Sequence, residues 1–384
     1  MFNFYTVRLA SVAAVFFPLF FILGCAGTLR NIDTTKPAVP INVARDFSQI
    51  DAISIAAFAE AKNLSGFTVA IFDAQDKKVF EKNYGDFAAN RRVPVASASK
   101  MVAGLVILKL VDEGKLDLDT STTSSVLGWT GPAGDITLRQ LLSLTSGLSP
   151  GGACLGNAAI TLAECVETIR QSATPAKHLA GVHFNYGGSH HQVAARMAEV
   201  ASGKTWNQLF TEYFAVPLGL DQMVNFYTSA WGQNFQHGIK NPRVAGGFYA
   251  SINDFAPLLA IVFHYGQYRQ QSFISSNSIN QMGREPNPNA TIGLSPMARY
   301  AKPPFRYGLS AWLECDTPAT GCNSVSSPGA FGFIPWVDRD QGYYAMIGMY
   351  QLAAASDTRG FDFAARLAQK LKPEINRAMA NKSR

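Results

Sequence analysis

The chain has 384 residues, 47% of them hydrophobic and 16% charged, with 26 Phe. That apolar share is enough for one large domain or two intergrown ones and excludes a disordered chain. The formal charge of +6 is carried without a dense Lys/Arg run or basic stripe, which argues against a nucleic-acid partner.

Arg8 followed by the apolar run 9–23 has the make-up of a signal peptide, and the run is short for a membrane-spanning helix. It ends in Ile22-Leu23-Gly24-Cys25, which resembles the lipobox of bacterial lipoproteins, in which the Cys becomes the lipidated first residue. Residues 1–24 are thus expected as signal peptide and Cys25 as a lipid anchor to a membrane. An uncleaved N-terminal anchor is the alternative. Lys36-Pro37 and Val39-Pro40 mark 25–45 as an extended tether. The expected address is the bacterial cell envelope, with the domain outside the cytoplasm. There, an even count of four further cysteines suggests disulfides. Cys154 with Cys165 and Cys315 with Cys322 are the preferred pairs, the two other connectivities staying open. The spacings match no zinc pattern, and His190-His191 reads as a loop or helix-edge pair.

Residues 46–61 carry Phe47, Ile50, Ile53 and Phe58 at helical spacing. Two strands follow at 67–72 and 79–84, joined through Asp76-Lys77 as a hairpin. An apolar helix then carries Val93 to Lys100 into 101–114, stopping at Gly114. From 117 to 240 the pattern is mainly helical: 136–142 with Asp135 as N-cap, 193–200, and 206–216 halted by Pro217. Residues 254–266 give another helix. Strands return at 307–313, 330–337 and 343–350, before an amphipathic helix at 361–371. The predicted fold is mixed α+β, an antiparallel sheet built from both termini and flanked by helices. The catalytic domain spans 46–375, with a mainly helical part at about 117–300 inserted, and 376–384 forms a tail.

Chemistry concentrates in Ser97-Ala98-Ser99-Lys100. On a helix, residues i and i+3 share a face, so the lysine amine reaches the serine hydroxyl. A serine needs a neighbour to take its proton, and a lysine can do so only if burial lowers its pKa. Alone, Ser-x-x-Lys also fits an ordinary core helix. Gly147-Leu148-Ser149-Pro150-Gly151 competes as a nucleophile elbow. That elbow needs a strand before it and a backbone N–H after the serine, and Pro150 has none. Two further segments fit a serine site: Tyr186 in the Gly-rich loop 183–188, and 326–332, whose small residues open a late strand and let substrate approach the backbone.

In order along the chain these segments resemble the serine β-lactamase-like superfamily of penicillin-recognising hydrolases, especially its class C-like and esterase branch. Ser97-Ala98-Ser99-Lys100 matches the first motif. Leu141 to Leu148 looks like L-L-x-H-T-S-G-L with Leu144 in place of His. Tyr186 stands where the Tyr of Y-x-N would be. Pro217-Leu218-Gly219-Leu220 and Ala245-Gly246-Gly247-Phe248 follow, and Ser327-Pro328-Gly329 occupies the K-T-G or H-x-G position. The resemblance implies a β-lactamase/DD-peptidase-like fold and acyl transfer through a covalent acyl-enzyme, with no cofactor or metal. Ser97 would be the nucleophile, Lys100 and Tyr186 would share general acid and base work, and the N–H groups of Ser97 and Ala330 would hold the oxyanion. Ser327 and Gly329 would border the substrate.

Two departures bear on the substrate. Gly188 replaces the Asn of Y-x-N, and Ser327 replaces a cation that would help bind a β-lactam or peptide carboxylate. Both suit an exported serine hydrolase acting on a less anionic ester or amide substrate. A D-Ala-D-Ala carboxypeptidase or β-lactamase is the first alternative, and a non-catalytic binding lipoprotein the second.

Overall fold

A computed structural model describes residues 45–172, 179–229, 239–300, 305–316, 318, 320–352 and 359–380. The expected signal peptide, Cys25 and the tether up to residue 44 lie outside the described residues.

Seven antiparallel strands form the main sheet, in the order Arg306–Tyr307, Trp312–Leu313, Ser324–Ser326, Ile334–Asp338, Tyr343–Gly348, Gly66–Asp73, Lys78–Gly85. The early hairpin joins the late strands where Val69 pairs with Ile347 and Ile71 with Ala345. The sheet is therefore built from both ends of the described chain, as expected. Every residue of Gly66–Asp73 is buried, because helices cover both faces. Alternation sends Phe67, Val69 and Ile71 towards helices Ser48–Glu60 and Gly360–Ala380, where they meet Leu367 and Leu371. Ala70 and Phe72 go to the larger core on the other face. The edge strand keeps Lys78, Glu81 and Lys82 exposed, charges that discourage pairing with another chain.

The helix Ser99–Asp112 lies in that larger core, buried from Ser99 through Leu108. Its sequence is apolar nearly all round, so every face must be covered. It ends beside Gly114, whose φ of +66° suits the left-handed stop. The helical part between the two halves of the sheet also holds a small sheet in which Phe248–Ala250 pairs with Val93–Pro94 and Asn225–Phe226.

Several local expectations are corrected. The helix at 136–142 starts at Leu138 and is capped by Thr137, not Asp135. Thr137 and Gln140 exchange side-chain hydrogen bonds with each other's N–H, satisfying two donors where an aspartate cap satisfies one. Residues 307–313 are not one strand. Arg306–Tyr307 and Trp312–Leu313 pair with each other about a turn in which Ser310 has φ +65°, and Ser310 N–H donates to Leu142 O instead of a ladder partner. The strand expected from 330 begins at Ile334, because Gly332 N–H donates to Gly329 O in a turn. Segment 327–329 thus follows strand Ser324–Ser326 rather than opening a strand. His190 and His191 are fully buried in the first turn of helix Ser189–Ser202, not at an edge. The last helix, Gly360–Ala380, runs beyond 371, so residues 376–380 of the expected tail are helical.

Both preferred disulfides, Cys154–Cys165 and Cys315–Cys322, are formed. The first ties the 3-10 turn Ala153–Gly156 to helix Leu162–Ser172. Among the described residues no helix is long and apolar enough to cross a membrane.

Candidate active site

Ser97 sits in a 3-10 turn, Ala96–Ala98, immediately before the buried helix. Ala96 has φ +49°, an uncommon conformation for a residue with a side chain, held here from three directions. Val95 N–H donates to Phe248 O at 3.0 Å. Ser99 Oγ donates to Ala96 O at 2.5 Å and accepts from Phe248 N–H at 3.0 Å. Ser327 Oγ donates to Ser97 O at 3.1 Å. The turn is thereby fixed by the small sheet on one side and the main sheet on the other.

Lys100 is buried, with Nζ 3.2 Å from Ser97 Oγ and 3.1 Å from Ala245 O. Desolvation, with a smaller contribution from the Arg243 charge, brings its pKa down to about 7. A neutral amine at this site donates one N–H to Ala245 O and keeps a lone pair for the Ser97 proton. Ala245 O supplies this bond, and Gly188 has no side-chain amide to offer one. A Cβ at Gly188 would lie 3.0 Å from Leu155 Cδ1, so Leu155 occupies the neighbourhood of the absent side chain.

Tyr186 lies in the loop between strand His183–Phe184 and helix Ser189–Ser202. Its N–H donates to Leu294 O at 2.8 Å. Its ring stacks on Trp312 at 5.2 Å, and Lys100 Nζ stands 4.4 Å from the ring centroid. Burial pushes its pKa up to about 12, against a hydrogen bond with Ser97 that pulls the other way. It is therefore a neutral phenol able to give a proton near Ser97. His190 braces the loop. Its Nε2 can only donate to the Asn185 carbonyl at 2.9 Å, so Nδ1 accepts from Ser146 Oγ at 2.7 Å. Burial lowers its pKa to about 4 and keeps it neutral. The 149–151 segment is wall rather than centre: Pro150 O accepts Gly188 N–H at 2.7 Å, and Ser149 Oγ donates to Gly151 O.

The third motif divides in two. Ala330 borders the cleft beside Ser97, and no acceptor among the described residues takes its N–H. Ser97 N–H stands at a helix start, where backbone donors have no partner in the helix. These two groups are the available donors for an oxyanion. Ser327 and Gly329, expected to border the substrate, do not line the cleft. The Ser327 hydroxyl is spent on Ser97 O. A Cβ at Gly329 would come within 2.2 Å of Val95 O, so glycine serves the close approach of two backbone segments.

Two compartments open on either side of Ser97. One, of about 390 Å³, is walled by Trp312, Met297, Pro296, Pro328, Phe331 and Phe361, with Arg299 and Arg359 also lining it. The other, of about 270 Å³, is walled by Lys100, Arg243, Leu155, Gly187, Gly188 and Gly246. A larger cavity of about 1070 Å³, lined by Arg196, Trp206 and Lys240 among others, contains none of the predicted site residues. Sequence reasoning missed Trp312, Arg243 and His190. Arg243 stands two residues before the quoted Ala245-Gly246-Gly247, and that adjacency is the one signal it carried.

A protein-family model described as Beta-lactamase matches residues 54–369. Among solved structures, a proposed beta-lactamase from Bacteroides dorei DSM 17855 is 29% identical, with a TM-score of 0.73 over 86% of this chain and 99% of that one. EstCE1, described as a hydrolase with promiscuous acyltransferase activity, is 18% identical, with a TM-score of 0.65 over 86% of this chain and 97% of its own. Of curated proteins, the Protein flp of Staphylococcus aureus (strain MW2) is 25% identical over 164 residues, which is 39% of this chain and 33% of that protein. The chain thus spans about a third of the length of that relative.

Proposed function

The chain belongs to the Beta-lactamase family, a family of serine hydrolases, and on that footing we propose that it is an exported hydrolase of ester or amide bonds. Ser97 Oγ attacks the substrate carbonyl while its proton passes to Lys100 Nζ. The N–H groups of Ser97 and Ala330 receive the oxyanion. The coupled Lys100–Tyr186 pair returns a proton to the leaving group, and water then releases the acyl group from Ser97 by the reverse route. Cys25 carries the lipid that holds the domain at a membrane. The observation that carries this reading is the buried Lys100 amine, 3.2 Å from Ser97 Oγ with its other hydrogen bond made to Ala245 O.

A fluorophosphonate probe should modify Ser97, read by mass spectrometry. The protein should turn over short-chain p-nitrophenyl esters, and Ser97→Ala should lose labelling and at least about 10³-fold in turnover. Unchanged turnover in that variant would sink the nucleophile assignment, and an unlabelled Ser97 would favour a binding lipoprotein. A second reading, D-Ala-D-Ala carboxypeptidase or β-lactamase, draws support from the 29% identity to the Bacteroides dorei protein. It predicts stable labelling of Ser97 by a fluorescent penicillin, or rapid nitrocefin turnover.

A further inference from the structure

We propose that Arg243 anchors a carboxylate on the substrate, so that the preferred substrates are esters or amides bearing an acid group within reach of the smaller compartment. This deepens the reading of Ser97 as nucleophile and rests on it for the catalytic arms of the test.

The guanidinium lines the same 270 Å³ space as Ser97, Lys100 and Tyr186. It forms no ion pair and no hydrogen bond among the described residues. None of the residues lining this compartment is acidic, and the stretch 230–238 preceding it in sequence contains no Asp or Glu. Four other arginines are already neutralised by carboxylates. Arg92 is bound to Asp254, Arg139 to Asp119, Arg306 to Glu285 and Arg299 to Asp362. Arg243 is also partly withdrawn from water, since burial alone pulls its pKa down with no carboxylate pulling it up. Such a cation gains more from an anionic partner than one in bulk solvent does.

The geometry selects the kind of anion. A guanidinium fork matches a planar carboxylate in two parallel hydrogen bonds. Arg243 and Lys100 are the basic groups of the compartment and no acid lines it, so an anionic group is what it complements. The backbone next to Arg243 is Gly246, whose lack of a side chain lets a slender acid arm pass more easily than a branched one. A Cβ at Gly246 would lie 3.4 Å from Arg243 Nε, so the bare backbone also leaves the side chain its present path. The cation that Ser327 fails to supply at the third motif thus comes from a different segment, on the Lys100 side of the nucleophile.

The carboxylate can sit on the acyl part or on the leaving group, and two substrate pairs distinguish these. Mono(4-nitrophenyl) glutarate against 4-nitrophenyl pentanoate places it on the acyl part. 4-Acetoxybenzoate against its methyl ester places it on the leaving group. In one pair kcat/KM should favour the acid, and Arg243→Gln should lower that acid-to-neutral ratio by about 10- to 100-fold. Arg243→Lys should recover part of it. No preference for the acid in either pair overturns the proposal. So does an equal loss on both members of a pair with a moved pH midpoint, which would mean that Arg243 acts through Lys100. Binding of monophenyl glutarate and 4-acetoxybenzoate to Ser97→Ala, by calorimetry, separates the two readings. Binding that Arg243→Gln abolishes, beside a wild-type Ser97 that fluorophosphonate leaves unlabelled, keeps the anchor and removes the hydrolase. Labelled Ser97 with no Arg243-dependent binding of either acid keeps the hydrolase and removes the anchor.

Discussion

The two compartments flanking Ser97 differ in kind. The larger is aromatic and aliphatic, and one of its two arginines, Arg299, pairs with Asp362. The smaller is backed by bare glycine backbone and has two basic side chains with no acid among the lining residues. Burial of apolar surface gives grip without direction, whereas an unpaired cation gives direction and rejects what cannot neutralise it. A substrate lying across both would be held by the first and aligned by the second. Ser97 and Tyr186 line both and mark the junction, with Lys100 beside Ser97 on the smaller side.

Lys100→Met strikes beside that junction and has the largest expected effect. Turnover of acid and neutral esters alike should fall by about 10³-fold or more. The same change should stabilise the fold, because the Lys100 pKa in the folded protein lies below its ordinary 10.5. The destabilisation by the buried charge is full below pH 7 and fades as pH rises from about 7 towards 10.5. The melting-temperature gain of the variant over wild type should therefore be greatest at pH 6 and shrink by pH 9. Wild-type kcat/KM should rise with pH through a midpoint near 7, and a flat profile would remove Lys100 as proton acceptor. Next in size, Trp312→Ala removes both a wall of the larger compartment and the stacking partner of Tyr186. About 10- to 100-fold loss on neutral esters is expected, with about 3–5 kcal/mol of destabilisation in urea unfolding. A loss confined to acid esters would reverse the roles given to the two compartments. The smallest effect is expected of Leu155→Ala, which enlarges the cationic side only. It should shift preference towards a longer acid arm by about tenfold or less, leaving the chain-length preference for neutral esters in place.

Much of this site could be read directly from the residues. Ser97 and Lys100 lie three apart in one turn, a relation that local geometry alone fixes, and the apolar run behind them dictates a buried helix. Tyr186 was recognisable from its Gly-rich loop and its order among the other segments. What escaped depends on contacts between distant segments. Nothing local distinguishes Gly329 as a residue forced small by Val95 from one kept small for substrate. Ser327 reads as a missing cation until its hydroxyl is seen on the Ser97 carbonyl. Arg243 stands out because no acid among the described residues pairs with it, and an absence of partners has no sequence pattern. The misplaced strand at 307–313 has the same origin, since the Ser310 turn is held by Leu142 from another element.

The Cys154–Cys165 bridge has a practical consequence. The turn it secures carries Leu155, the side chain that closes the smaller compartment beside Gly188. Ser97, Lys100 and Tyr186 make their own hydrogen bonds and ring contacts with neither of the two cysteines. On the proposed mechanism, material made where thiols stay reduced should keep a probe-reactive Ser97 while losing the definition of the smaller compartment. Such a preparation would pass a probe-labelling check and still misreport what the enzyme prefers, so substrate profiling belongs with oxidised protein.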